Sequence, residues 1–322
     1  MNTGTFTATL LLLAAAAVST AGAAAQPPAS PPCNRDCLYA IADRYLDALA
    51  RHDARPLPWA AQARYTENNV RLSIGDGLWQ TATKLADYRL KFADARAGQV
   101  GVFGVVEESK DRSAFALRLK VEDGRITQAE VLVVRIAEFG TLDGGANPFA
   151  GAQFEDRPIM QQALAAGQGS PRERMISLAN GYFDTLQRND GTLFTRFDPR
   201  CERHENGILT TNNPLKTLGP LTAQGCEAQF RLGAYRFDDR LRDRRYPLVD
   251  EERGLVLAAG FIDHTGRLGE FRLTDGSIAH APVRHPHSFC YLELFKIVDG
   301  RIRQIESVFI TVPYDMPAAW AG

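Results

Sequence analysis

Five of the six histidines in this 322-residue chain fall in its second half: His204, His264, His280, His285 and His287, with only His52 ahead of them. Imidazole is the side chain that takes and gives protons near neutral pH. Carboxylates and phenols surround this group. Asp263 and His264 end an apolar run that begins near Gly254. Adjacent strand residues face opposite ways, so Asp263 shares a face with Phe261 and His264 takes the other. A carboxylate held beside a phenylalanine stays protonated to higher pH and suits a general base. The alternative is a D-H-T-G turn that Asp263 caps. His285, His287, Phe289, Tyr291 and Glu293 recur at period two. They read as an inward proton-transfer set, as the solvated start of a strand, or as a His285-x-His287 and Glu293 metal site. Pro286 argues against the metal. Tyr182 lies on the apolar side of a helix, where its hydroxyl could steady a developing oxyanion. Tyr45 holds the same place earlier in the chain, which favours packing. Arg242 and Arg244 share a strand face and suit a substrate carboxylate; the other reading pairs this run with Asp238, Asp239 and Asp243.

The elements that position these residues occur twice. YLDALARHD from Tyr45 returns as YFDTLQRND from Tyr182, and YTENNV from Tyr65 returns as RHENGI from Arg203. KVEDGRITQAE from Lys120 returns as KIVDGRIRQIE from Lys296. The offsets are 137, 138 and 176 residues, so the second copy carries 38 extra residues between its later landmarks. Collinear repeats mean two copies of one domain. Residues shared by both are scaffold, and residues peculiar to one are candidates for chemistry. His204 has Thr66 as its counterpart, so scaffold does not require a histidine there.

Each copy opens with an amphipathic helix: Leu38, Ile41, Tyr45 and Leu49, then Met175, Ala179, Tyr182, Phe183 and Leu186. A short hairpin follows at Glu67-Asn68-Asn69 or Glu205-Asn206-Gly207, read as turn architecture. Further helices are expected near Trp79–Phe92 and Cys226–Tyr235. Strands are expected at Gly101–Glu107, Ala114–Val121 and Ile126–Ile136, and again at Gly254–Asp263, Phe289–Val298 and Ile302–Val312. Asp123-Gly124 and Asp299-Gly300 join the last two of each set. Helix first and antiparallel sheet afterwards is an α+β pattern. The expected domains are 33–140 and 171–322, with a Gly/Ala/Pro-rich connector over 141–170.

Net charge is −1 with both signs interspersed, which leaves no basic footprint for nucleic acid. The apolar run Leu10–Val18, then Ala23-Ala24-Ala25, resembles a secretory signal cleaved after Ala25, although no Lys or Arg precedes it. Residues 26–32 read as a linker. The mature protein is expected to be exported, periplasmic or secreted, with no segment that crosses a membrane. Export permits disulfides. Cys201 with Cys226 would tie the second hairpin to the following helix, Cys33 with Cys37 would be local, and Cys290 is left over; sequence alone does not fix the pairing. No G-x-S-x-G, phosphate-binding glycine loop or dinucleotide fingerprint occurs, so no cofactor is expected.

The order of elements and the terminal K-[VI]-x-D-G-[RK]-I hairpin resemble the nuclear-transport-factor-2-like superfamily, which includes SnoaL-like polyketide cyclases. CNRDCLYAIADRYLDAL, RYTENNVRLSIGDGLW, RHENGILTTNNP, RDRRYPLVDEERGLV, FIDHTG and VPYDMPAAW are similar to a family of exported tandem proteins of unknown function. The resemblance implies two cone-shaped α+β barrels, each a curved sheet wrapped on helices, packed as an intramolecular pseudo-dimer. Enzymes of that superfamily mostly move protons, while the closer family supplies no activity. With the histidines concentrated in the second half, the expected function is a cofactor-independent lyase or isomerase acting on a small, partly apolar oxygenated molecule in the second cone. Asp263 or His204 would be the base, with Tyr182 and His264 or His287 steadying the oxyanion. Arg244, Tyr291 and Glu293 would contact the substrate, and the extra residues would form a lid. An exported binding module without catalysis is the alternative, and a purely structural tandem is a third reading.

Overall fold

The computed structural model describes residues 1, 2, 4, 33–109, 111–135, 152–214 and 220–320. The expected signal segment and linker lie almost wholly outside these residues, as does the stretch 136–151. The described residues from 33 to 320 form one compact unit.

In the first half, α1 (Arg35–Ala50) starts at Asn34, whose side chain accepts the Cys37 backbone N–H at 3.0 Å. Its buried face is Leu38, Ile41, Ala42, Tyr45, Leu46 and Leu49, the spacing of a helix stripe. Then come β1 (Trp59–Glu67), β2 (Val70–Leu72), α2 (Leu78–Thr81), β3 (Ala82–Asp94), β4 (Gln99–Glu108), β5 (Asp111–Glu122) and β6 (Arg125–Arg135). The second half carries α3 (Pro158–Gln161), α4 (Arg172–Arg188), β7 (Phe197–Glu205), β8 (Ile208–Leu209), a 3-10 turn at Pro220–Ala223 and α5 (Cys226–Arg231). It continues with β9 (Arg240–Asp250), β10 (Leu255–His264), β11 (Glu270–Arg272), β12 (Ile278–His280), β13 (His287–Val298) and β14 (Arg301–Val312).

Two six-stranded sheets result, β2-β1-β6-β5-β4-β3 and β8-β7-β14-β13-β10-β9. Both are mixed rather than antiparallel, because β1 runs parallel to β6 and β7 parallel to β14. Asp123-Gly124 and Asp299-Gly300 all take positive φ, between 50° and 72°, as the hairpin corners require. One helical expectation fails. Only Leu78–Thr81 is helical after the first hairpin, and the following residues form β3. Ala86, Tyr88, Leu90 and Phe92 are buried at strict alternation there, the period of a strand. The connector is also more than a tether, since Met160 is buried between the sheets.

Each sheet packs one face on its own helix and the other on the opposite half. The shared core joins Tyr88, Leu90, Phe103, Ala116 and Val134 to Leu248, Leu257, Phe261, Leu292 and Val308. Polar contacts across it are reciprocal. Arg35 of α1 binds Asp250 at the end of β9, and Arg172 of α4 binds Asp94 at the end of β3, each at 2.6 Å. Glu130 of β6 meets Arg245 of β9, and Glu306 of β14 meets Tyr88 of β3.

The extra residues of the second copy are divided between the stretches before β9 and after β10. Ala234 from the first stretch and Phe271, Leu273 and Ala281 from the second build a small apolar cluster of their own. Cys201–Cys226 and Cys33–Cys37 are disulfides, and Cys290 is a buried thiol. Among the described residues, no helix is long and apolar enough to cross a membrane.

Candidate functional site

The helix-facing side of the second sheet carries a buried polar set. On β13, Tyr291 and Phe295 belong to the core around α4, while Cys290, Leu292 and Leu294 belong to the core between the halves. Alternation therefore places Glu293 on the helix side. Glu293 is 4 % exposed. Burial pushes its pKa up to about 8, Glu205 adds to the rise, Arg203 opposes it, and the Tyr182 hydroxyl hydrogen-bonds it. Tyr182 sits in a ring of aromatics, with Phe183, Phe230 and Phe295 at 5.0–5.3 Å between centroids. The Tyr291 hydroxyl lies in the same interior and has no hydrogen-bond partner among the described residues. Gly260 of β10 makes room for it: a Cβ there would stand 2.5 Å from that oxygen.

β7 contributes Arg203, 2 % exposed. Its guanidinium donates to Thr210 Oγ1 at 3.1 Å, to Gln229 Oε1 at 2.8 Å and to the Tyr235 hydroxyl. Burial works against its charge, but Glu205, Tyr235 and Tyr182 outweigh burial and keep it protonated. Gln229 is carried by α5, and the Cys201–Cys226 disulfide ties the start of α5 to β7. The disulfide thus fixes the element that holds the arginine's partner.

At the far end of β10 and β13 the register sets His264 opposite His287. Their rings stack at 4.7 Å, with Phe289 edge-on to His264 at 4.7 Å. His264 is fully buried and its Nε2 lies 2.8 Å from Asp238 Oδ1; its Nδ1 has no partner among the described residues. Burial raises the Asp238 carboxyl and depresses His287. Phe237, from the first of the two added stretches, lies over His264 and touches Phe271 of the second.

Several sequence expectations are redirected. Asp263 and Phe261 do share a face, but it is the face toward the other half. There Asp263 accepts from Arg240 at 2.7 Å, Arg242 at 2.9 Å and Ser288 at 2.5 Å. Burial alone would raise its pKa; Arg242, Ser288 and Arg240 outweigh it and lower it, the reverse of a poised base. His204 also points away from α4, to Gln304 at 3.0 Å. Burial, with Arg157 nearby, drops its pKa to about 3, so it stays neutral. Arg242 and Arg244 do not share a face. A bulge at Asp243, φ 51°, turns Arg244 toward the helix, where it binds Asp184 at 2.6 Å. His285 and His287 do not converge with Glu293: His287 Nδ1 is 2.8 Å from its neighbour's own carbonyl, at His285. Among the described residues, no three His, Cys, Asp or Glu side chains are grouped to hold a metal. Tyr182, Tyr291, Glu293, His264 and His287 remain on the helix side.

Sequence reasoning missed Arg203, Gln229, Tyr235 and Asp238 as site residues. The repeat held a usable signal. At the 176-residue offset Glu293 stands where the first copy has Leu117, and at 138 Arg203 stands where it has Tyr65. A buried carboxyl in place of a leucine is not scaffold.

The described residues form an α+β fold whose two six-stranded sheets share a core, and its second half buries an acid, a phenol and a guanidinium together. The chain belongs to the family described as a domain of unknown function, DUF8021, which matches residues 31–133 and 168–309. No curated protein matches it in sequence. Solved structures similar to part of it include a candidate ketosteroid isomerase from Kribbella flavida, 19 % identical over 30 % of this chain and 78 % of that one, with a TM-score of 0.26. Another is a candidate isomerase from Bacillus subtilis, 10 % identical over 35 % of this chain and 96 % of that one, with a TM-score of 0.28. A designed protein with a curved β-sheet is 15 % identical over 31 % of this chain and 87 % of that one, with a TM-score of 0.28. At these TM-scores no reaction carries over to the chain.

Proposed function

We propose that the second half is an isomerase or lyase that moves a proton on a small, partly apolar oxygenated molecule, with Glu293 as the proton carrier. One observation carries this reading: a carboxyl buried beside Tyr182, with its pKa raised to about 8, at a position the first copy fills with leucine. A group that titrates near ambient pH can accept a proton and return it. In the isomerase form, Glu293 takes a proton from carbon beside a carbonyl. The electron pair moves onto the carbonyl oxygen, where Tyr182 or Tyr291 donates a hydrogen bond. The pair then returns to a different carbon, which Glu293 reprotonates. His264, with Asp238, would bind at the sheet end under the added stretches. Arg203 with Gln229 and Tyr235 holds the interior rigid and offsets the carboxyl's charge. The first half serves as a supporting copy, and the two halves are the expected domains 33–140 and 171–322. Two disulfides accord with an exported protein.

Deuterium incorporation across a panel of small carbonyl compounds tests this. Hydroxy-ketones and cyclic enones are incubated with the protein in deuterated water and followed by proton NMR. Exchange at carbon beside the carbonyl is expected with the native chain. Glu293→Gln should lose a factor of about 10² to 10⁴ in rate. A compound that binds the native protein in the second half and never exchanges would replace catalysis with the binding-module reading.

A further inference from the structure

A second site stands apart from the Glu293 interior, on the face of the first sheet that meets β9 of the second half. It is a cavity of about 290 Å³, and Arg64, Arg118, Lys120 and Arg245 all line it. None of its lining residues is an acid. Arg118 is the informative one. It is 1 % exposed, donates through Nε to Glu130 at 2.7 Å and through Nη1 to Gln99 at 3.0 Å. Its Nη2 is buried with no partner among the described residues. A buried charged donor left unpaired is costly. The sister copy has no such need: Leu294 occupies the corresponding place at the 176-residue offset. The scaffold therefore accepts leucine where this half keeps a desolvated arginine.

Among the described residues the charges around the cavity do not cancel. Glu130 serves both Arg118 and Arg245, whose Nη2 is 2.6 Å from its second oxygen. Among the described residues Lys120 pairs with Glu122, at 2.7 Å. Arg64 donates to the Ala319 carbonyl at 3.0 Å and meets no carboxylate among the described residues. Among the described residues four cations thus face two carboxylates, an excess of two positive charges. Arg64 and Arg245 also repel the Arg118 charge. Trp320 closes the site, with the Arg64 guanidinium 4.2 Å and that of Arg118 4.9 Å from its ring. Its indole N–H is fixed on Thr66 Oγ1 at 3.0 Å. Lys120 and Arg245 keep 30 % and 26 % of their side-chain surface, so the cavity is open to solvent.

We propose that this cavity binds a compact dianion of the phosphate or dicarboxylate type. The anion would take the free Arg118 Nη2 and neutralise the two excess charges. Guanidinium forks match such oxygens in pairs.

Titration calorimetry and thermal unfolding of the full chain test it. The probes are inorganic phosphate and succinate, each against sodium chloride at equal ionic strength. Saturable one-to-one binding of at least one probe, with a raised midpoint, is expected, and the probe that binds names the class. Arg118→Leu should weaken binding about 10- to 100-fold, as loss of a charge-assisted hydrogen bond does. The probe-induced rise in the midpoint is the deciding readout, because the change removes an unpaired buried Nη2 but also takes a guanidinium from Glu130. A merely structural Arg118 would leave the probes without effect. If Arg118→Leu does not fold, Arg64→Ala and Lys120→Met at the partly open rim carry the same expectation of weaker binding. The proposal is overturned if neither probe binds beyond chloride, or if the folded variants bind as tightly as the native chain. Glu293→Gln should leave this binding unchanged, which separates the site from the proposed reaction.

Discussion

Glu293→Gln should change the pH dependence of stability in a way that can be worked out in advance. The side chain keeps its shape and loses its titration. In the folded protein the Glu293 carboxyl holds its proton up to about pH 8, against an ordinary value of 4.5. The folded state binds this proton more tightly than the unfolded state. Its contribution is therefore complete below the ordinary value and is lost as pH rises through the folded value. At about 1.4 kcal/mol per pH unit, the loss reaches about 5 kcal/mol by pH 8. Glutamine has no such loss. Denaturant unfolding of both proteins, measured across the interval from acid to mildly alkaline pH, yields a difference in which other titrating groups cancel. The variant should gain steadily on the native chain above pH 4.5 and level off above about pH 8. A flat difference, or one of opposite sign, would refute the placement of a protonated carboxyl in this core. Turnover, if Glu293 is the base, should rise over the same interval to a plateau.

Other outcomes follow from the same contacts. Replacing Cys201 and Cys226 by alanine should destabilise by about 2–4 kcal/mol on loop-entropy grounds, read by chemical denaturation. Arg35→Ala and Arg172→Ala each leave a buried carboxylate, Asp250 or Asp94, without its guanidinium. They should cost similar amounts, about 1–3 kcal/mol each, in the same assay. Asp263→Asn should lower the thermal midpoint, because Arg240, Arg242 and Ser288 converge on that carboxylate. It should leave deuterium exchange intact, since the side chain faces away from Glu293. His204→Ala should likewise leave exchange intact.

Sequence patterning carried the closing strands of each copy well, because Asp-Gly corners and long apolar runs bracket them. It failed where a local period was ambiguous. Leu85, Tyr88 and Phe92 mimic a helix stripe, which competes with the period-two alternation of Ala86, Tyr88, Leu90 and Phe92. The site was harder for a different reason. The second sheet is buried on both sides, by α4 and by the other half, so its strands are apolar on both faces. Alternation paired Asp263 with Phe261 correctly but could not say which face was the interior. Arg203 and Asp238 escaped because their meaning depends on Gln229 and His264, which are distant in sequence. Comparing the copies position by position was the better guide, since Leu117 against Glu293 and Leu294 against Arg118 are visible without coordinates.

The reciprocal contacts between the halves bear on stoichiometry. Where two identical chains meet about a two-fold axis, every substitution appears twice, and a site near the axis comes as a pair. Here the matching positions sit on one chain and have drifted apart. Glu130 gathers Arg118 and Arg245, while its counterpart Glu306 takes Tyr88 and Arg157. The first is held ionised by its arginines; the second has its pKa raised by burial. Tethering lets the two positions differ, so that one gathers arginines beside a cationic cavity and the other holds a carboxyl whose pKa burial raises. A titration should accordingly saturate at a single equivalent per chain, with no second phase and no cooperativity between like sites.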